Sequence, residues 1–435
     1  MTAPSSADHD AARTLLLGIL DEAIAAAHPA RCLVPHLPAP GPGRLIILGA
    51  GKAGGSMAAV ASRFYREEHG VDESRIVGLA VARHGYGEEA PMIRMVEAGH
   101  PVPDQAGIDA TADALKIAAD AGPEDDVLVL LSGGGSANWI APAGDLTLIE
   151  KQAITKALLR SGAPINEINC VRKHLSRIKG GRLALMARNA RSILTLAISD
   201  VPFDDPAVIA SGPTVPDPST LADARAICER RGIPLPETAK ALLADPVNET
   251  PKAGDAAFAR AEYRIIARPI DALEAAAEAA RRAGYAPVML GPDVEGEARE
   301  VAAEHAKLAL EHRASGAKVA IISGGELTVT IAGEGHGGPN QEYALALAIA
   351  LDGATGILGI AADTDGTDGG RGAATDPAGG LVDPTTLARA RAAGLDPAAM
   401  LADNDSTRFF DTLGDLVQPG PTRTNVNDCR VILVG

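Results

Sequence analysis

The stretch RLIILGAGKAGGSMAAVASRFYREEHG, residues 44–70, passes from a short aliphatic run through a glycine-rich turn into a segment with helical spacing. A strand, a tight turn and a helix in that order make up half of a βαβ unit, so the stretch predicts a parallel, doubly wound sheet. The pattern recurs. RIVGLAVA (75–82), DDVLVLLS (125–132) and SILTLAIS (192–199) are further short runs rich in Val, Ile and Leu, bounded by polar or turn residues, as buried strands are. Ahead of them, residues 11–28 carry helical apolar spacing and lead through a proline-rich linker into the first strand. A proline-rich interval around 235–256 separates this half from a second alternation, which opens with YRIIA at 263–267 and continues through VAIIS (319–323), LTVTIAG (327–333), the helix QEYALALAIAL (341–351) and ILGIAA (357–362). Two α/β domains follow as the expectation, 1–250 and 251–435.

A chain of 435 residues exceeds what one core usually organises, which agrees with that division. Its 40 basic and 56 acidic residues give a net charge of −16, and no basic run interleaved with aromatics offsets it, so nucleic acid is not an expected partner. No apolar stretch approaches the roughly 20 residues of a membrane span, and the polar, acidic start MTAPSSADHD lacks the features of a signal peptide. A cytoplasmic protein with no membrane partner is expected, with a homo-oligomer left open. The widely scattered Cys32, Cys170, Cys228 and Cys429 read as reduced packing residues.

Ligands of open α/β sheets bind beyond the carboxyl ends of the strands, and here those loops are rich in glycine. Gly49-Ala50-Gly51-Lys52-Ala53-Gly54 matches GxGxxG formally, yet the next strand ends in Ala82-Arg83-His84-Gly85, without the acid that would hold a ribose; Arg83 keeps an NADP version open. A Walker A loop fails, because it requires Gly in place of Ile46 and Ser or Thr in place of Ala53. Lys52, a long cation in a tight turn, adds nothing to packing and reads as an anion contact. Ser132-Gly133-Gly134-Gly135-Ser136 and Gly324-Gly325-Glu326 each follow a buried strand, and successive amides in such turns form anion-binding nests.

Two acidic stretches, Ser199–Asp205 and Asp363-Thr364-Asp365-Gly366-Thr367-Asp368, also follow strands, where one or two carboxylates suit Mg²⁺ held together with phosphates; Asx turns are the plainer alternative for each aspartate. Residues 166–182 gather Arg172, Lys173, His174, Arg177, Lys179 and Arg182. Helical spacing predicts one strongly basic face there, a local positive field for an anionic ligand.

Together LGAGKA (48–53), GHPVPD (99–104), LLSGGGSA (130–137), NCVRKHLSRIKGGRLA (169–184), SDVPFDDPAVIASGPTVPDPST (199–220), SGGELTVTIAGEGHGGPNQEYALA (323–346) and AADTDGTDGG (361–370) make the chain resemble the glycerate 2-kinase family, whose C-terminal part is called MOFRL and some of whose members have carried a hydroxypyruvate reductase label. The resemblance implies a Rossmann-like N-terminal domain, a smaller α/β C-terminal domain and an active site in the intervening cleft. It implies ATP as phosphoryl donor, Mg²⁺, and D-glycerate as acceptor at its 2-hydroxyl. On this reading Lys52 matches the lysine of the family's GAGKA turn. Gly51, Ser132, Gly133, Gly134, Gly135, Ser136, Gly324, Gly325, Glu326 and Asn340 contact nucleotide or phosphate, Asp200 and Asp365 position Mg²⁺, and Arg172 binds the acceptor's carboxylate. Asp363 or Asp368 orients or deprotonates the hydroxyl. Where the family commonly has GGRNQE, this chain has Gly337-Gly338-Pro339-Asn340-Gln341-Glu342, so either Arg172 or His336 supplies the missing charge or the acceptor differs. An NAD(P)H-dependent hydroxypyruvate reductase, a kinase of another small sugar acid and a non-catalytic metabolite sensor are the rival readings.

Overall fold

The computed structural model describes residues 6–370 and 373–435. The chain divides into two compact units, one of residues 32–266 and one that joins the residues up to 31 to 267–435. The division departs from the expected 1–250 and 251–435 at both ends. The first helix belongs with the C-terminal half, and the strand expected to open the second domain completes the sheet of the first.

In the unit 32–266 that sheet holds β1 (Leu45–Ala50), β2 (Ile76–Arg83), β3 (Ile93–Ala98), β4 (Asp126–Leu131), β5 (Ser192–Ile198) and β6 (Ala261–Ala267), in the order β3-β2-β1-β4-β5-β6. This is the strand order of dinucleotide-binding α/β folds. β1 pairs in parallel with both β2 and β4, with Leu48 opposite Leu79 on one side and Val129 on the other. All six residues of β1 are buried, which explains a run of aliphatics with no alternation. Ile46, Leu48, Val81, Val129, Leu131 and Trp139 form the centre of the core. A satellite core of Ile154, Leu158, Val171, Leu175, Leu221 and Leu243 packs the helices Leu148–Arg160, Ile165–His174, Leu221–Arg230 and Glu237–Ala244.

The other unit carries β7 (Ala286–Gly291), β8 (Gly296–Glu297), β9 (Val319–Ser323), β10 (Leu327–Thr328), β11 (Ile357–Asp363), β12 (Gly379–Val382), β13 (Leu416–Val417) and β14 (Asp428–Val434). Its main sheet runs β13-β12-β11-β14-β9-β7, antiparallel except for β7 beside β9. The expected strand LTVTIAG shrinks to β10, paired only with β8. The helices Ala298–Ala314 and Pro339–Leu351 cover the sheet, joined by a 2.8 Å hydrogen bond between His305 Nδ1 and the Tyr343 hydroxyl. The helix Ser6–Ala27 is tied to the same unit by Arg13, which donates to Gly414 O at 2.8 Å and pairs with Asp415, and by Thr424 Oγ1, which donates to Ala27 O at 2.7 Å. All four cysteines are buried free thiols. Among the described residues no helix is long and apolar enough to cross a membrane.

Candidate active site

In the strand order of the unit 32–266 the sequence runs outward in opposite directions from β1 and β4, and the loops leaving these two strands meet at that switch point. Gly51 has φ +111°, and a Cβ there would lie 2.4 Å from Ser132 Oγ, so both the backbone and the space require glycine. The loops are laced together: the Lys52 amide donates to Gly133 O at 2.8 Å, and the Ala53 amide to Ser132 Oγ at 2.8 Å. Ser132, expected to hold nucleotide, instead fastens one loop to the other, and Gly51, expected to do the same, allows their close approach. Among the described residues no hydrogen bond takes up the amides of Gly133 and Gly134, whereas that of Gly135 donates back to Ser132 O.

Gly134, at φ +82°, begins the short helix Gly135–Asn138. A Cβ on it would meet His100 at 3.0 Å and Lys52 Cγ at 3.4 Å, so the lysine, this glycine and His100 of the GHPVPD stretch are neighbours. Ser136 bonds to Ser211 at 2.7 Å through their hydroxyls, and its carbonyl accepts from Lys179 Nζ at 2.7 Å.

From Ser136 a cavity of about 660 Å³ opens, lined by Pro101–Pro103, Ile140, the helix Leu148–Arg160, Arg172 and Lys179 of this unit. Of its four cations Lys151 and Lys179 are deeply placed, at 4 % and 1 % exposure, whereas Arg172 is half-buried and Lys156 exposed. Lys151 Nζ donates to Leu175 O, and to Arg172 O at 3.5 Å. Burial, with Arg172 and Arg182 adding repulsion, lowers the Lys151 ammonium to about 7. Burial, then Arg172 and Lys151, holds Lys179 well below the ordinary lysine value, and burial lowers Arg172. No carboxylate is among the described residues that line the cavity.

The predicted basic face does not form. The helix ends at His174, and Gly180 and Gly181 then take left-handed conformations, so the six cations point to different places. Lys173 pairs with buried Asp217 at 3.4 Å, His174 with Glu249 at 3.0 Å, Arg177 donates to Pro142 O, and Arg182 donates to Asn248 O. Arg172 and Lys179 remain on the cavity. Sequence reasoning gave no role to His100 or Lys151. The GHPVPD match pointed to the first, and nothing in the sequence distinguishes Lys151 from a solvated helix lysine.

In the other unit the candidates turn inward. The Gly324 amide donates to Gly291 O at 2.9 Å and is thereby withdrawn from a nest, and the carbonyls of Gly324 and Gly325 accept from buried Arg430. Glu326 is exposed. Asp368 is buried and receives the amides of Asn340 and Gln341 at 3.0 and 2.9 Å, together with both side-chain NH₂ groups. It caps the helix Pro339–Leu351 and is not placed to serve as a base, although burial raises its carboxyl to about 7. Asn340, 1 % exposed, spends its NH₂ on Asp368 and Asp428 and is not a phosphate contact. Pro339 stands at the first position of that helix, where proline fits well. The other candidate for its missing charge, His336, is exposed just before that helix. Asp363 accepts the Asp365 amide, and Asp365 accepts both the amide and the hydroxyl of Thr367, a succession of Asx turns. Asp365 is thus a buried turn residue, whereas Asp200, half-buried in the loop after β5, stays a candidate carboxylate. The two expected metal carboxylates belong to different units, and no ready cluster of three or more metal-ligating side chains occurs among the described residues.

Two family models match the chain, "Domain of unknown function (DUF4147)" over residues 15–244 and the MOFRL family over 319–428. A Thermotoga maritima protein named D-glycerate 2-kinase is 37 % identical over 98 % of this chain and 99 % of its own. An Agrobacterium vitis protein with the provisional name of a hydroxypyruvate reductase is 50 % identical over 98 % of this chain and 95 % of its own. The crystal structure of a Thermotoga maritima glycerate kinase superposes with a TM-score of 0.87 at 38 % identity, covering 98 % of this chain and all of that one.

Proposed function

The chain belongs to the DUF4147–MOFRL family of glycerate 2-kinases, and from that premise we propose that it transfers the γ-phosphoryl group of ATP to the 2-hydroxyl of D-glycerate, giving 2-phosphoglycerate. The observation that carries the reading is the grouping, at the end of the parallel sheet, of Lys52, Gly134 and a cavity whose described lining holds four cations and no carboxylate. Phosphoryl transfer asks the protein chiefly for alignment and for positive charge where negative charge is spread over the phosphoryl oxygens. Lys52, held at its backbone by Gly133, is the cation we assign to that charge, and the amides of Gly133 and Gly134 would add donors beside it. Mg²⁺, when bound, draws charge from the phosphate oxygens, and because it is commonly held by only one or two protein carboxylates together with phosphates, the lone Asp200 fits that demand. Asp363 is the carboxylate we retain for the acceptor hydroxyl.

The reductase name on one relative is the second reading, and the loop geometry opposes it. A dinucleotide would place its pyrophosphate on the amides after β1, but those of Lys52 and Ala53 are engaged by the β4 loop, and Gly51 has no space toward Ser132. Arg83, which would serve a 2′-phosphate, is 5 % exposed and stacked 5.0 Å over Tyr86.

Supplied with D-glycerate and MgATP, the protein should form ADP and 2-phosphoglycerate. Supplied with hydroxypyruvate and NADH or NADPH, it should oxidise neither. Hydride transfer without ADP formation would overturn the kinase reading.

A further inference from the structure

The cavity at Ser136 carries more charge than a hydroxy acid can offset. Lys151, Lys156, Arg172 and Lys179 present up to four positive charges, and no acidic side chain among the described lining residues answers them. A monocarboxylate neutralises one. The volume, about 660 Å³, lies in the range of pockets that enclose a drug-sized ligand and is generous for a three-carbon acid. The lining is also mixed in character: beside the cations it includes Pro101, Val102, Pro103, Leu148 and Leu159, of which Val102 is 66 % and Leu159 62 % exposed. Gln152 Nε2 donates to Pro103 O at 3.0 Å, fixing the Pro101–Pro103 segment to the helix that carries Lys151.

We propose that this cavity receives the nucleotide, its polyphosphate on Lys151, Arg172 and Lys179 and its base against the Pro101–Pro103 wall. The inference rests on the kinase reading and deepens it, moving Arg172 from the acceptor's carboxylate to the donor's phosphates. Buried cations without counter-ions are costly, and a multiply charged phosphate chain is the ligand that relieves most of that cost on binding. The lowered values of Lys151 and Lys179 agree with a cluster waiting for anionic charge. A phosphate ester such as 2-phosphoglycerate shares the phosphate chemistry but has no group for the apolar wall.

Calorimetric titration of ADP, inorganic tripolyphosphate, 2-phosphoglycerate and D-glycerate into the parent, Lys151→Met and Arg172→Gln distinguishes these sources. ADP and tripolyphosphate should each weaken about tenfold or more in both variants, as expected on losing a hydrogen bond to a charged group, while binding of D-glycerate changes less than about twofold. Unchanged ADP affinity in Lys151→Met overturns the assignment, as does a loss confined to D-glycerate or to 2-phosphoglycerate. Should the variants misfold, the parent protein decides: ADP, and not D-glycerate, should protect Lys151 from amine acylation read by mass spectrometry, and absence of protection overturns the proposal. If the parent phosphorylates glycerate normally while ADP ignores these residues, the cavity assignment fails and the kinase reading stands. If the parent binds ADP here but phosphorylates no glycerate, the reverse holds.

Discussion

Lys52 is half-buried, with its side chain against Gly134 and its amide bound to Gly133 O. Packing alone gives no reason for a lysine at this turn. If its ammonium meets charge that develops on the transferred group, Lys52→Ala should lower turnover by about 10²-fold or more, the loss typical of a preorganised electrostatic contact. The thermal midpoint should shift by no more than the equivalent of about 1 kcal/mol. Lys52→Arg should recover little activity, because a planar guanidinium cannot occupy the place of a compact ammonium beside Gly134. Near-normal turnover in Lys52→Ala would pass the anion role to the cavity cations. This residue was legible in the sequence because a long cation is conspicuous in a glycine turn. Lys151 was not, since a lysine on an amphipathic helix looks solvated until the satellite core shows which way that helix faces. Asp368 misled for a related reason: an aspartate beside glycines suits a catalytic loop and a helix cap equally well, and only the folded chain shows that its carboxylate receives the amides of Asn340 and Gln341.

Between elements, the pairing of His305 with Tyr343 joins the helices Ala298–Ala314 and Pro339–Leu351 in a buried setting. Burial, with Arg430 adding repulsion, lowers the His305 imidazole to about 4. The folded state therefore holds it neutral while the unfolded chain protonates it near 6.5. The stability it confers is complete above about pH 6.5 and is lost as pH falls through the window toward 4. Thermal melts over that range should show an acid limb, and His305→Gln, which can still bond the Tyr343 hydroxyl but does not titrate, should make the limb shallower. An unchanged slope would show that His305 is not held neutral. Element boundaries were the least legible feature of the sequence. The basic segment reads as helical with one basic face, but the helix ends at His174 and two left-handed glycines follow at 180 and 181, so Lys173 pairs with Asp217 while Arg172 stays on the cavity. LTVTIAG has the composition of a full strand, yet it finds a partner for only two of its residues.

Over the whole molecule the chain crosses between units twice, at 31/32 and 266/267, so the N-terminal helix stabilises a unit more than 200 residues distant in sequence. Deleting residues 1–31 should raise hydrogen exchange within 267–435, above all around Gly414–Leu416 and Thr424, and leave the β1–β5 ladder protected. Equal loss in both units would mean that the helix does not belong to one of them. The sequence alone determined the alternation of strands and helices, the parallel sheet and the glycine loops after its strands, because these follow from local periodicity and backbone freedom, and the motif series was enough to indicate the family. Only the tertiary structure decided which helix joins which unit, which glycine amides are consumed by neighbouring loops, and which of many charged residues share a cavity. Those outcomes depend on hydrogen bonds and burial between residues far apart in the chain, such as Lys179 with Ser136 or Arg13 with Asp415, and no local pattern encodes them.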